Sequence, residues 1–199
     1  MQATVTGPDG QPRCGWCGIA EEFFGYHDTE WGFPVDDDTR LFEKLCLESF
    51  QSGLSWRTIL NKRDNFRVAF KHFEISKVAK FIDKDVARLL DDPGIVRHRG
   101  KIEAVINNAK RAIELQKEAG SLAHYFWQFE PEELAQPEMV SSSAVSEKIS
   151  KDLKKRGWKF VGPTTVYSFM QAMGLVNDHL PECSIRGAVD SARRAFTRP

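Results

Sequence analysis

The chain has 199 residues, 41% of them hydrophobic and 28% charged, enough to bury one well-formed core in one compact domain or two small lobes. Lysine plus arginine and aspartate plus glutamate each total 28, so the net charge is zero. That excludes a global field drawing the protein to nucleic acid or anionic lipid, and any polyanion site must be a local patch. The four cysteines do not form a disulfide framework, Cys46 lying in an apolar stretch, and no signal peptide or long apolar run is present. A monomer in a reducing cytoplasm, without membrane attachment, is expected.

Residues 1–12 (MQATVTGPDGQP) are polar, with Gly and Pro and little to bury, and read as a loose tail. Next comes Cys14-Gly15-Trp16-Cys17, and then His27. Near the other end stand His179 and Cys183, a His-x3-Cys pair with the short bite that lets one turn aim both side chains at a Zn²⁺ ion. A structural zinc joining the two ends of one domain is expected. The spacing leaves two ligand sets open: Cys14, His27, His179 and Cys183, or Cys14, Cys17, His179 and Cys183.

Aromatic residues crowd the first third of the domain: Trp16, Phe23, Phe24, Tyr26 and Trp31. Phe23 and Phe24 are assigned to the core. Apolar residues then recur at helical spacing over 38–50, and Glu48 falls seven after Leu41 and three after Leu45, on the stripe that faces the core. A carboxylate there needs a donor-rich partner, such as a cation or a base edge. The turn Gln51-Ser52-Gly53-Leu54-Ser55-Trp56 follows at once. A planar ring beside a carboxylate is the equipment that holds an extruded nucleobase.

Further helices are predicted over 83–90, 99–119 and 144–156, with almost no strand-like alternation anywhere. Between the first two, Asp92-Pro93-Gly94-Ile95-Val96-Arg97-His98-Arg99-Gly100-Lys101 sets a tight turn before a helix start flanked by cations. Free N–H groups at a helix N-terminus and adjacent cations attract phosphate without reading sequence. The segment reads as a helix-hairpin-helix spanning about 83–119, although the usual second glycine is replaced in Gly94-Ile95-Val96. Ala135 to Ser143 is the candidate linker. Lys151, Lys154, Lys155 and Arg156 read as the solvated face of a helix. Residues 184–199 read as a second loose tail, leaving 13–183 as the working domain.

The blocks Cys14-Gly15-Trp16, Tyr26-His27-Asp28-Thr29-Glu30-Trp31-Gly32, Leu47-Glu48, Gln51 to Trp56, Gly94 to Ile102, Lys159-Phe160-Val161-Gly162, Tyr167 to Ala172 and Gly174 to His179 closely resemble the 3-methyladenine DNA glycosylase I family over roughly 13–183. The resemblance implies an all-α, two-lobed helix-hairpin-helix glycosylase fold with a zinc site joining the N- and C-terminal segments. It implies the ligand set Cys14, His27, His179 and Cys183. It implies that Glu48 hydrogen-bonds the flipped base, that Trp56 stacks on it, and that Tyr26, Trp16, Trp31 and Ser168 line the pocket. Gly53 and Leu54 match the turn that enters the duplex, while Gly94, Arg97, Arg99 and Lys101 match the phosphate clamp. The implied partner is double-stranded DNA carrying alkylated bases, and the implied product is free 3-methyladenine, released by hydrolysis with an abasic site left behind. Ser49-Phe50 departs from the family pattern, which puts the contacts around 49–52 in question.

Overall fold

The computed structural model of the protein describes residues 3–131 and 140–199. A two-stranded antiparallel hairpin, β1 (Thr4–Thr6) and β2 (Pro12–Cys14), opens it with Thr4 opposite Cys14. A single 3-10 turn, Gly15–Ile19, leads into α1 (Glu22–Thr29) and α2 (Asp38–Gln51). Four short helices follow: α3 (Trp56–Asn61), α4 (Arg63–Ala69), α5 (Ile75–Val78) and α6 (Asp83–Asp91). The chain then forms the long α7 (Arg99–Ala119), α8 (Leu122–Trp127), α9 (Ala144–Lys155), α10 (Pro163–Ala172) and α11 (Arg186–Ala195). No helix among the described residues is long and apolar enough to cross a membrane.

Helix α2 is the centre of the molecule. Every residue from Leu41 to Phe50 is buried, and the helix touches α3, α7, α8 and α10. A helix enclosed on all sides must find a partner for each polar side chain it carries. Glu43 accepts two hydrogen bonds from the Arg67 guanidinium, at 3.0 and 2.8 Å. The Ser49 hydroxyl reaches the Leu45 carbonyl at 2.8 Å. Lys44 and Glu48 meet each other, as described below. Phe50 packs inward on Phe66 and Phe70, with ring centroids 4.6 and 6.0 Å away, so the departure from the family pattern at this position lies in the core.

Asp38 ties the start of α2 to two other helices. Its carboxylate accepts hydrogen bonds from the Leu122 and Ala123 amides at 3.0 and 2.9 Å and from Gln116 Nε2 at 2.6 Å. Amides of the first turn of α8 that have no intrahelical partner are thereby satisfied. Gly174, at φ +78°, is another junction: a Cβ there would lie 2.6–2.7 Å from the Phe33–Pro34 backbone, so only glycine lets the two segments meet.

The ends differ from the loose tails expected. The N-terminal segment forms the hairpin, and its Pro12 carbonyl accepts from the Ser184 amide at 3.0 Å while Arg13 donates to Ser184 Oγ at 2.6 Å. Beyond residue 183, α11 buries Val189 completely and sets Arg193 against Glu130 at 2.8 Å. Both segments are polar in composition because the rest of the domain supplies the surfaces they cover, which composition alone does not register. Of the candidate linker Ala135 to Ser143, residues 135–139 lie outside the described residues; Ser143 is the N-cap of α9.

Asp38→Ala should remove three charge-assisted hydrogen bonds and leave buried amides unpaired, costing about 2–3 kcal/mol. A thermal melt should show Tm falling by about 4–12 °C, against less than about 2 °C for Asp64→Ala, whose side chain is 90% exposed. Equal melting points for the two variants would remove Asp38 as the junction.

Candidate functional site

Helix α2 delivers Glu48 to the inner surface of the aromatic crowd contributed by the N-terminal third. Trp16 stands edge-on to Phe23, Tyr26, His27 and Trp31, with centroids between 5.2 and 6.3 Å. Tyr26 lies 5.4 Å from Trp56, which opens α3 just past the Gly53 turn. The four aromatic residues expected around the pocket, Tyr26, Trp16, Trp31 and Trp56, are thus neighbours. Ser168 is half-buried on α10 and is outside this network of ring contacts.

One residue in the middle of this cluster went unnoticed in the sequence. The Lys44 ammonium lies 2.7 Å from Glu48 Oε1, donates to the Tyr26 hydroxyl at 2.6 Å, and sits 3.5 Å above the centroid of the Trp56 ring. Burial draws the lysine below its ordinary pKa, and the Glu48 carboxylate opposes that shift. Burial likewise pushes the Tyr26 phenol well up, with Glu48 adding to it, so the hydroxyl keeps its proton. The signal that could have found Lys44 is its place four residues before Glu48, where two helical side chains share a face.

Behind the aromatic rings lies a second cluster. The ligand atoms of Cys14, His27 and Cys183 all fall within 4.8 Å of one another. His179 adjoins them, its ring 4.7 Å from that of His27, and its buried Nε2 has no hydrogen-bond partner. Each histidine is oriented through Nδ1: His27 against Asp28 at 2.7 Å and His179 against Asn177 Oδ1 at 2.8 Å. Both partner oxygens can only accept, so each ring carries a proton on Nδ1, and His27 Nε2 is turned to Cys183 Sγ at 3.6 Å. Burial, then the nearby His27, holds His179 down to about 4, and the ring is neutral.

The sulfur chemistry separates the two ligand sets. The contact between Cys14 and Cys183 raises the thiol pKa of the first and lowers that of the second. Cys17 instead donates to the Cys14 carbonyl at 3.0 Å, and burial pushes its thiol up to about 12. Two sulfurs and two imidazoles, enclosed and each ring oriented through Nδ1 by an acceptor, suit a tetrahedral thiophilic cation. Gly32, at φ +88°, is required beside them, since a Cβ would come 2.9 Å from His179 Cε1. Asn177 is held in turn by Asp190 of α11 at 2.6 Å, so the supposed C-terminal tail helps aim a candidate ligand.

The residues expected to face DNA divide into two groups. Gly53 adopts φ +78° with open space around it, and Leu54 beside it is a large apolar side chain left 41% exposed. Gly94 sits in the turn between α6 and α7, its amide on Asp92 Oδ1 at 2.8 Å, and both Arg97 and Arg99 are exposed. Lys101 takes another course from the one expected. It is buried, and its ammonium donates to the Phe50 and Ser52 carbonyls at 2.9 and 2.5 Å, capping the end of α2. Arg156 is also engaged, in a double contact with Glu118, whereas Lys151, Lys154 and Lys155 are exposed as expected.

Known proteins are similar to this one over most of the chain. DNA-3-methyladenine glycosylase 1 of Escherichia coli is 46% identical over 177 residues, covering 86% of this chain and 95% of its own. The DNA-3-methyladenine glycosylase of Haemophilus influenzae is 44% identical, with 86% and 96% covered. A crystal structure of 3-methyladenine DNA glycosylase I superimposes with a TM-score of 0.83 at 44% identity, over 86% of this chain and 98% of the other. Residues 16–186 match the methyladenine glycosylase family, and the chain belongs to that family.

Proposed function

We propose that this protein is a DNA-3-methyladenine glycosylase that flips the damaged nucleotide out of the duplex and hydrolyses its glycosidic bond without cutting the strand. The observation that carries this reading is a carboxylate, Glu48, buried among Tyr26, Trp56 and their aromatic neighbours. Methylation at N3 makes the purine a cation, which is already a good leaving group, so strong acid catalysis is unnecessary. What the site must supply is recognition of charge. Glu48 attracts the cation and accepts hydrogen bonds from the base edge, while Trp56 contributes ~1–3 kcal/mol of stacking. A neutral purine gains the stacking and its hydrogen bonds without the attraction between charges.

Cys14, His27, His179 and Cys183 would hold one zinc ion with a structural task. It would join segments more than 150 residues apart in sequence, constraining the unfolded chain, and would complete the bonding of the otherwise unpaired His179 Nε2. The turn between α6 and α7 would grip phosphate as a helix-hairpin-helix, with Arg97 and Arg99 as its cations. Leu54 would enter the stack where the base has left. Lys101 supports that turn from within and is no phosphate ligand.

Glu48→Gln should fold normally, by circular dichroism, yet release 3-methyladenine from methylated DNA with kcat/KM about 10- to 100-fold lower, the loss of one charge-assisted hydrogen bond. Chromatography of the freed base measures this, and undiminished release would contradict the role given to Glu48.

Metal analysis should find one equivalent of zinc in the purified protein and in Cys17→Ser, but not in His27→Ala. The latter should also melt earlier. Zinc retained by His27→Ala and lost from Cys17→Ser would reverse the assignment.

Replacing both exposed arginines, Arg97→Ala with Arg99→Ala, should weaken binding to any duplex and reduce the slope of log K against log salt by about two units, one for each phosphate contact. Affinity for the free base should not change. An unaltered salt slope would move the duplex contact to the exposed face of Lys151, Lys154 and Lys155.

A further inference from the structure

A flat base stacked on Trp56 must lie about 3.5 Å above the ring, at van der Waals separation. The Lys44 ammonium nitrogen already stands 3.5 Å over the Trp56 centroid. The same nitrogen takes up a Glu48 oxygen at 2.7 Å and faces the Tyr26 hydroxyl at 2.6 Å. It therefore takes up both contacts assigned to the base, the face of the indole and the carboxylate, and adds a hydrogen bond to the Tyr26 phenol beside them. Lysine and base cannot occupy that place together. Lys44 is only 6% exposed, so this is an enclosed position and not a passing surface contact.

We propose that Lys44 is an internal occupant of the base site, displaced when a base enters and returning to expel the product. The inference rests on the glycosylase reading of the same site. Displacing the lysine costs the same for every base, so it leaves the preference for cation over neutral unchanged and lowers the absolute affinity for both. The consequence differs along the reaction. The substrate base is a cation and recovers the charge contact that Lys44 gives up. When the C1′–N9 bond breaks, its electron pair passes to the base, which becomes neutral, while water adds hydroxide to C1′ and yields a proton to solvent. The neutral product then holds Glu48 less strongly than the ammonium does, and the lysine reclaims the site. Undamaged neutral bases meet the same competitor.

The test uses the intact protein with free 3-methyladenine as the probe. Lys44→Met, which keeps the length of the side chain without its charge, should bind the free base about tenfold more tightly or better, because the occupant is gone. Under multiple turnover on methylated DNA it should show a burst of about one equivalent of freed base followed by a slower phase set by product release. Lys44→Gln serves as the second variant, and circular dichroism checks the fold of each. A lysine that merely braces Glu48 makes the opposite prediction, weaker binding of the free base, so equal or weaker affinity in both variants overturns the proposal. A crystal structure of the wild-type protein with 3-methyladenine gives a reading free of mutation. Lys44 should have left the face of Trp56, and a bound base beside an unmoved lysine overturns the proposal. If the wild-type protein releases no base from methylated DNA, the glycosylase reading itself fails, a result separate from any of these.

Discussion

Keeping a carboxylate charged away from water is the constraint on which this structure turns. Glu48 sits on a helix with no solvent-facing side over ten residues, and a carboxylate there must be met by polar partners. One carboxylate oxygen meets the Lys44 ammonium one helical turn back, and that ammonium in turn faces the Tyr26 phenol and the Trp56 indole. The helix itself is fixed at both ends by other charged side chains, Asp38 at the start and Lys101 at the finish. The chemistry proposed for the site and the architecture of the core therefore meet in one fourteen-residue segment.

Around that segment the two ends of the chain are laced together. Hairpin β1–β2 donates and accepts hydrogen bonds with the Ser184 region, Leu180 donates its amide to the Cys14 sulfur at 3.3 Å, and Asp190 orients Asn177 against His179. Trp31 lies 4.6 Å from the His179 ring and 5.2 Å from Trp16. One layer of aromatic rings is thus backed by the cysteine and histidine cluster on one side and turned to Glu48 on the other. The position of the aromatic pocket follows from how firmly the termini are joined.

Much of this was legible in the residues. Apolar spacing located α2, α6, α7 and α9 to within a residue or two, because each has one wide buried face. The ordered blocks of resemblance contained the aromatic residues and the cysteine and histidine cluster that the fold brings together. What escaped has physical causes. The strands of the hairpin have three residues each, too few for an alternating pattern to register, and α11 buries little beyond Val189 and the shielded Arg193. Lys101 follows a run of basic residues, and nothing in its neighbours in sequence shows that two open carbonyls await it some fifty positions upstream. Lys44 was passed over because lysine is expected at the surface, although its spacing from Glu48 was in plain view.

Lys101 also makes a single mechanical part of two segments that are distant in the chain. Its backbone belongs to the first turn of α7, next to the exposed arginines, and its ammonium grips the carbonyls on either side of Gln51, where the Gly53–Leu54 turn begins. The Ser49 hydroxyl adds a strut at 2.9 Å to the carbonyl of Phe160, whose ring approaches His98 at 6.3 Å. A grip on the sugar-phosphate rail and a probe into the base stack, built on such a frame, keep a fixed offset from one another. On the contacts proposed above, the depth to which Leu54 reaches would be gauged from the backbone, which every base pair shares, and would not depend on the sequence being searched.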